Sequence, residues 1–180
     1  MKSNYIKYVP VDDIYLFNTG NAQKAWLCFG CHYIARIHAY RFIVWAPNAR
    51  SVSLVGDFNG WDRQATPLES FEGGVWVGFV NNIEEGNHYK YCIEGPDGRQ
   101  VLKADPFAAY GESSGESGAS IVWRGSDFKW SDRTYLKKRA KRNFMTSPMS
   151  ILEVHAGSWK ALGGDINYRS LADELSAYCV

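Results

Sequence analysis

Hydrophobic and polar residues alternate along much of the segment from about residue 40 to residue 125, the pattern of half-buried β-strands. Along residues 89–94, the alternation predicts that Tyr89 and Tyr91 face a core while Lys90 is presented on the opposite side. A strand that is polar on one side and aromatic on the other covers a packed interior. The pattern therefore predicts a sheet that is buried on one face.

Turn-forming residues recur at short intervals within this segment. They are Pro47-Asn48, Asn59-Gly60, Gly73-Gly74, Glu85-Gly86-Asn87 and Pro96-Asp97-Gly98. Short strands separated by such turns are typical of an antiparallel β-sandwich. We place the sandwich at residues 37–125 and expect an immunoglobulin-like arrangement.

The N-terminal segment, residues 1–36, has a different pattern and is predicted to be a leader with two short helices. Asp12 or Asp13 is placed to cap the first helix. The second helix covers residues 22–29, with Trp26 and Phe29 on its buried face.

Residues 126–149 are rich in lysine and arginine and are predicted to form a basic helical linker. Such a run suits either a nucleic-acid contact or a solvated helix face. We favour the solvated face, because no basic or aromatic residues elsewhere extend the patch.

The last segment, residues 150–180, reads as a strand, a loop and a helix that begins near Tyr168. Strand, loop and helix make the first unit of an α/β fold. A single unit cannot bury its own apolar surface, so we expect a longer protein to contain it. The strand at 151–155 would be an exposed edge through which chains associate.

The overall charge gives no reason to expect a nucleic acid or a membrane as partner. The formal net charge is +1, and the start of the chain has no apolar signal segment. No apolar run approaches the ~20 residues of a membrane span. We therefore expect a cytoplasmic protein.

Two cysteines, Cys28 and Cys31, form a C-x-x-C pair next to His32. A metal or redox site would use such a pair. Cys92 and Cys179 stand apart, so no second pair completes a zinc site, and reduced structural thiols are the favoured interpretation. We expect no metal and no other cofactor.

The loop at residues 57–62, with the sequence DFNGWD, places Trp61 beside asparagine, aspartate and glycine. An indole ring surrounded by small polar groups suits the half-apolar, half-hydroxylated face of a sugar. Aromatic residues make up 15% of the chain, which leaves rings available for such a surface, although a β core also uses them.

Several stretches resemble, in this order and spacing, the N-terminal part of glycogen (1,4-α-glucan) branching enzymes. They are VWAPNARSVSLVGDFNGWD, YKYCIEGPDG, LKADPFA, PMSILEVHAGSWK and YRSLADELSAY, and the similarity runs from about Tyr15 to the last residue. Leu152 and Ala156 depart from the family, which usually has tyrosine and leucine there.

The resemblance implies a family 48 carbohydrate-binding sandwich followed by the first β-α unit of an incomplete family 13 (β/α)8 barrel. Such enzymes transfer α-1,4-glucan segments to form α-1,6 branches in glycogen, through carboxylates on later barrel strands. We therefore expect no catalytic residue in these 180 residues and, at most, glucan binding. Asp165, Asp173 and Glu174 are interpreted as solvated or capping groups.

The resemblance also implies two carbohydrate-binding residues. Trp61 and Lys90 match a tryptophan and a lysine that related glycogen-binding sandwiches use. The expected partner is an α-1,4-glucan such as glycogen or amylose. A second tryptophan of those sandwiches has no match near residues 100–102, and Trp61 could instead pack the sandwich onto a barrel.

Two alternatives remain open at this point. The chain could be a stand-alone glycogen-binding or regulatory module, which would have no use for residues 150–180. It could also come from a debranching or maltooligosyltrehalose trehalohydrolase-type enzyme, and the GSW after the EVH motif and the FNGWD loop weigh against that.

Overall fold

The computed structural model describes residues 5–112, 117–125, 128–159 and 167–179. The chain divides into two units, residues 1–127 and residues 128–180.

The first unit contains a short helix and two antiparallel sheets. Helix α1 spans Val11–Asn18. The strands are β1 (Gly30–Ile34), β2 (Ala39–Trp45), β3 (Ser51–Gly56), β4 (Glu69–Phe71), β5 (Val75–Val80), β6 (His88–Glu94), β7 (Gln100–Lys103), β8 (Tyr110–Gly111) and β9 (Ser120–Ile121).

The strands are arranged as a sandwich, which confirms the predicted fold class. Sheet A has the order β1-β2-β5-β4, and sheet B has the order β3-β6-β9-β8, with β7 also paired to β6. All the pairings are antiparallel. Between β3 and β4 the chain passes from one sheet to the other, since Pro67 still bridges to Ser53 of β3.

One core lies between the two sheets, and a second core lies on the far side of sheet A. Tyr89 and Tyr91 are fully buried in the first core, as the alternation predicts. The second core joins Ile43 of β2 to Ile14 and Phe29 of the leader. Sheet A is therefore the middle layer, covered on one side by sheet B and on the other by the leader.

Arg41 ties the leader to the middle layer. It is buried on β2 and donates hydrogen bonds to the carbonyl oxygens of Tyr8 at 3.0 Å and Cys28 at 3.1 Å. Charge-assisted bonds of this kind satisfy carbonyls that the irregular leader leaves without a backbone partner.

The prediction of the leader is wrong in three respects. Only a 3-10 turn forms at Ala25–Leu27, and Trp26 is 55% exposed. Strand β1 lies within the predicted leader, because its edge pairs with β2. Asp12 and Asp13 lie in the first turn of α1, where they complement the helix dipole and do not cap it.

In the second unit, α2 (Arg133–Lys141) is the predicted basic helix, and α3 (Tyr168–Tyr178) is the helix of the predicted β-α unit. Asn167 caps α3, because its Oδ1 accepts hydrogen bonds from the amides of Arg169 and Ser170, both at 3.0 Å.

The strand predicted at 151–155 is not formed. These residues carry no regular secondary structure, and Ile151 is 85% exposed. A strand needs a partner for its backbone hydrogen bonds, and the described part of this unit pairs none with it. The predicted association through an exposed strand therefore has no strand here to act through.

Among the described residues, none of the helices has both the length and the apolar character that crossing a membrane requires.

Candidate functional site

The predicted sugar-binding loop leaves β3 at a glycine that no larger residue could replace without movement. A Cβ on Gly56 would lie 2.3 Å from the carbonyl oxygen of His88 and 2.7 Å from the ring of Phe58. The backbone of the loop can therefore approach the first residue of β6 closely. That approach determines which side chains meet at the site.

Asn59 organises the turn that follows. Its Oδ1 accepts a hydrogen bond from the Gly56 amide at 3.0 Å, and its Nδ2 donates to the Leu54 carbonyl at 2.9 Å and to Thr66 Oγ1 at 3.0 Å. One side chain thus binds both sides of the loop. The loop is held in one conformation before any ligand arrives.

Trp61 lies at the tip in a left-handed conformation, with a φ of 62°. For a residue with a side chain this conformation costs about 1–2 kcal/mol. Two hydrogen bonds offset the cost: the Trp61 amide donates to the Gly56 carbonyl at 2.9 Å, and the indole Nε1 donates to Asp57 Oδ1 at 3.1 Å. The side chain remains 37% exposed.

Asp57 joins the loop to sheet B. Its Oδ2 accepts hydrogen bonds from the His88 amide at 2.7 Å and from His88 Nδ1 at 3.1 Å. Partial burial raises the pKa of Asp57, but the hydrogen bonds from His88 and from the Trp61 indole outweigh it and hold that pKa below its usual value. An ionised carboxylate only accepts, so His88 Nδ1 carries the proton in this contact.

Lys90 lies two residues after His88 on β6, about 7 Å further along the same face of the strand. Its Nζ donates to the carbonyl oxygen of Ser117. An ammonium group has three N–H donors, so the contacts of the described residues leave two for other acceptors. The structure thus places Lys90 on the strand whose first residue is linked to Trp61 through Asp57.

Sequence reasoning missed Asp57 and His88. They are 31 positions apart, so no local pattern joins them. Two weaker signals were available. Asp57 lies four residues before Trp61 in the same turn, and His88 lies two residues before Lys90, so their side chains project to the same face of the strand. The antiparallel register of β3 and β6, which pairs Gly56 with Tyr89, turns these signals into a contact.

The C-x-x-C pair is part of the folded interior. Cys28 and Cys31 are free thiols, and Cys28 is buried. Burial raises the pKa of Cys28 to about 11 and raises the pKa of Cys31 as well. Thiols with raised pKa values are poor nucleophiles at neutral pH. Within the described residues, no group of three or more His, Cys, Asp or Glu side chains could hold a metal ion.

Comparison with known proteins identifies the class of the sandwich. Residues 28–108 match the family model of carbohydrate-binding module 48, described as the isoamylase N-terminal domain. Within the first unit, these residues are therefore similar to modules of the family 48 type, as the resemblance found in the sequence implies.

Along nearly its whole length, the chain is similar to 1,4-alpha-glucan branching enzymes. It is 39% identical to GlgB of Oceanobacillus iheyensis over 176 residues, covering 95% of this chain and 28% of that enzyme. It is 42% identical to GlgB of Bacillus caldolyticus over 175 residues, covering 94% of this chain and 26% of that enzyme. The chain thus spans little more than a quarter of the length of these relatives.

Solved structures of other glucan-related enzymes are also similar. Type I pullulanase of Bacillus subtilis, crystallised with maltose, is 25% identical, with a TM-score of 0.48 over 57% of this chain and 14% of that chain. The catalytic module of the pneumococcal virulence factor SpuA is 23% identical, with a TM-score of 0.45 over 54% of this chain and 16% of that chain.

Proposed function

We propose that the sandwich binds α-1,4-glucan through Trp61 and Lys90. The observation that carries the proposal is the indole ring of Trp61, which is partly exposed and tied by its Nε1 to Asp57. A ring that is fixed before binding loses little conformational freedom when a ligand stacks on it. The match to a carbohydrate-binding module family supports a sugar as the ligand.

The chemistry of the cluster fits a neutral, hydroxylated ligand. The apolar face of a pyranose ring can stack on the indole, and the two remaining N–H groups of Lys90 can donate to sugar hydroxyls. A hydroxyl can in turn donate to the carboxylate of Asp57. Recognition by one ring and a few polar groups predicts weak binding, because little surface is buried.

We further propose that the longer protein is a 1,4-alpha-glucan branching enzyme of glycogen synthesis, working without a cofactor in the cytoplasm. The similarity to branching enzymes along the chain supports this activity. In the same proposal, residues 1–180 have no branching activity of their own, because the catalytic carboxylates of such an enzyme belong to later strands of a barrel. Asp173 and Glu174 lie on α3 and have no catalytic role in it.

The branching proposal is tested by incubating the purified chain with amylose and following the iodine colour. We expect no loss of colour beyond that of a blank without protein. A clear loss would show that these residues catalyse branching or hydrolysis by themselves.

The binding proposal is tested by electrophoresis in native gels that contain amylopectin. We expect the chain to be retarded and Trp61→Ala to lose most of the retardation, while Trp61→Phe keeps part of it. Trp26→Ala is the matched control, because Trp26 is also an exposed tryptophan but lies on the leader. Retardation that Trp61→Ala leaves unchanged would remove Trp61 from the site and favour a packing role.

A further inference from the structure

A second pair of aromatic rings is exposed on the first unit. Tyr110 of β8 and Trp123, just after β9, lie with their ring centroids 5.4 Å apart and their planes tilted by 44°. Tyr110 is 50% exposed and Trp123 is 40% exposed. Two adjacent exposed rings offer more apolar surface than a single surface residue does.

Strand alternation shows which face of sheet B carries these rings. Ser120 and Val122 are buried towards the core, whereas Ile121 is half-buried and Trp123 is exposed. Alternate residues of a strand project to opposite faces. Trp123 therefore lies on the face of sheet B that points away from the core, which we call the outer face.

The register of sheet B connects this pair to the candidate site. His88 is paired with Ile121, and Ile121 is paired with Tyr110. Directly paired residues project to the same face, so His88, Ile121 and Tyr110 form a row across the outer face. His88 is the residue that binds Asp57, and Asp57 holds Trp61.

The row of His88, Ile121 and Tyr110 covers β6, β9 and β8, and the contact of Asp57 with His88 links it to the loop after β3. The order β3-β6-β9-β8 includes three steps between strands, on the order of 14 Å in total. Trp61 follows β3 at one edge, and the Tyr110–Trp123 pair lies at the other edge.

We propose that one α-1,4-glucan chain lies across the outer face of sheet B, with Trp61 under one end and the Tyr110–Trp123 pair as a second stacking surface under the other. This inference rests on the proposed function, since it extends the same binding site. The occupant is a linear oligosaccharide because exposed aromatic rings lie at the two ends of the outer face and the polar side chains of His88 and Lys90 lie on β6, a strand between them. A chain of repeated sugars offers apolar ring faces and hydroxyls to both kinds of group.

The test compares ligands of two lengths by isothermal titration calorimetry. Maltose, with two sugar rings, is short enough to occupy the Trp61 end alone, whereas maltoheptaose can reach both ends. We expect the unmodified chain to bind maltoheptaose about tenfold more tightly, the gain that ~1.4 kcal/mol of added stacking gives. Tyr110→Ala combined with Trp123→Ala should remove this gain and leave maltose binding unchanged.

Matched control variants distinguish the removal of the two aromatic rings from a general loss of folded structure. Tyr110→Phe combined with Trp123→Phe keeps two rings and should keep most of the gain, and Trp26→Ala should change nothing. A second measurement uses the unmodified chain: its Trp123 indole N–H signal in NMR should shift with maltoheptaose and not with maltose.

The outcomes are distinct. If the alanine pair binds maltoheptaose as tightly as the unmodified chain does, or if the Trp123 signal does not move, the extended site is wrong. A dependence on Trp61 would then leave the proposed function standing. If neither oligosaccharide binds the unmodified chain, the proposed function fails, and the extended site fails with it.

Discussion

Asp57 accepts a hydrogen bond from the indole Nε1 of Trp61 at 3.1 Å and so holds an exposed aromatic ring in place. The second oxygen of the same carboxylate binds His88, the first residue of β6. One side chain thereby couples the loop after β3 to sheet B. The position of Trp61 therefore depends on the contact between Asp57 and His88, which are distant in sequence. This contact attaches the loop to the sheet.

The contribution of Asp57 to stability should depend on pH. Its hydrogen bonds lower its folded pKa below the unfolded value of about 3.9, so the contribution is present above pH ~4 and is lost as the pH falls through the folded pKa. We expect Asp57→Asn to lower the free energy of unfolding at pH 7 by about 1 kcal/mol, a value reduced because the side chain is partly exposed. The difference from the unmodified chain should shrink below pH ~4.

Urea unfolding of both chains at several pH values measures that difference. Comparison with the variant is needed because Asp105 contributes with the opposite sign: burial raises its pKa in the folded state, so its contribution to the free energy of unfolding falls as the pH rises through the acidic range. If the free energies of unfolding of the unmodified chain and of Asp57→Asn differ by the same amount from pH 3 to pH 7, the role assigned to Asp57 is contradicted.

Gly56 should be the least replaceable glycine of the site. In Gly56→Ala the new Cβ would lie 2.3 Å from the His88 carbonyl oxygen, so β6 or the loop must move. We expect a loss of about 3 kcal/mol in the free energy of unfolding, and weaker glucan binding, because the same movement separates Asp57 from His88.

Gly60→Ala provides the matched control for Gly56→Ala. Gly60 has a φ of 63°, but a Cβ there would meet no atom within 4 Å, so the cost is the backbone strain of about 1 kcal/mol. Equal losses in the two variants, measured by urea unfolding, would show that the approach of Gly56 to His88 is not the constraint.

The buried carboxylate of Asp105 should make Tyr89 important for stability. The Tyr89 hydroxyl donates to Asp105 Oδ2 at 2.7 Å, and the Tyr91 hydroxyl donates to the same oxygen at 3.2 Å. Tyr89→Phe removes a donor from a buried acceptor, which costs about 2 kcal/mol. We expect a smaller loss in Tyr91→Phe, because its bond is longer. The opposite order in urea unfolding would overturn this assignment.

Much of the sandwich could be predicted because the faces of a strand follow from the pattern of neighbouring residues in the sequence. The alternation in β6 places Tyr89 and Tyr91 in the core and Lys90 on the other side, and the structure shows the two tyrosines fully buried. A period of two residues is enough to distinguish the faces of a strand. The local pattern of the DFNGWD turn likewise singled out Trp61, whose side chain is 37% exposed.

The rest depends on pairing between distant segments. Strand β1 was missed because its formation depends on the edge of β2, and the strand predicted at 151–155 is absent because no described neighbour pairs with it. The contact of Asp57 with His88 follows only from the register of two strands. Local sequence patterns do not encode which edges meet.

The most direct test of the account observes Trp61 itself during binding. The chain has 7 tryptophans, and each indole N–H gives a signal in a ¹H–¹⁵N NMR spectrum, with that of Trp61 assigned by its loss in Trp61→Phe. Titration with maltotriose should move the Trp61 signal and leave that of Trp26 in place, because the sugar stacks on a ring whose N–H is fixed to Asp57. A Trp61 signal that stays unchanged while other signals move, or while no signal moves at all, would contradict a glucan site at this loop.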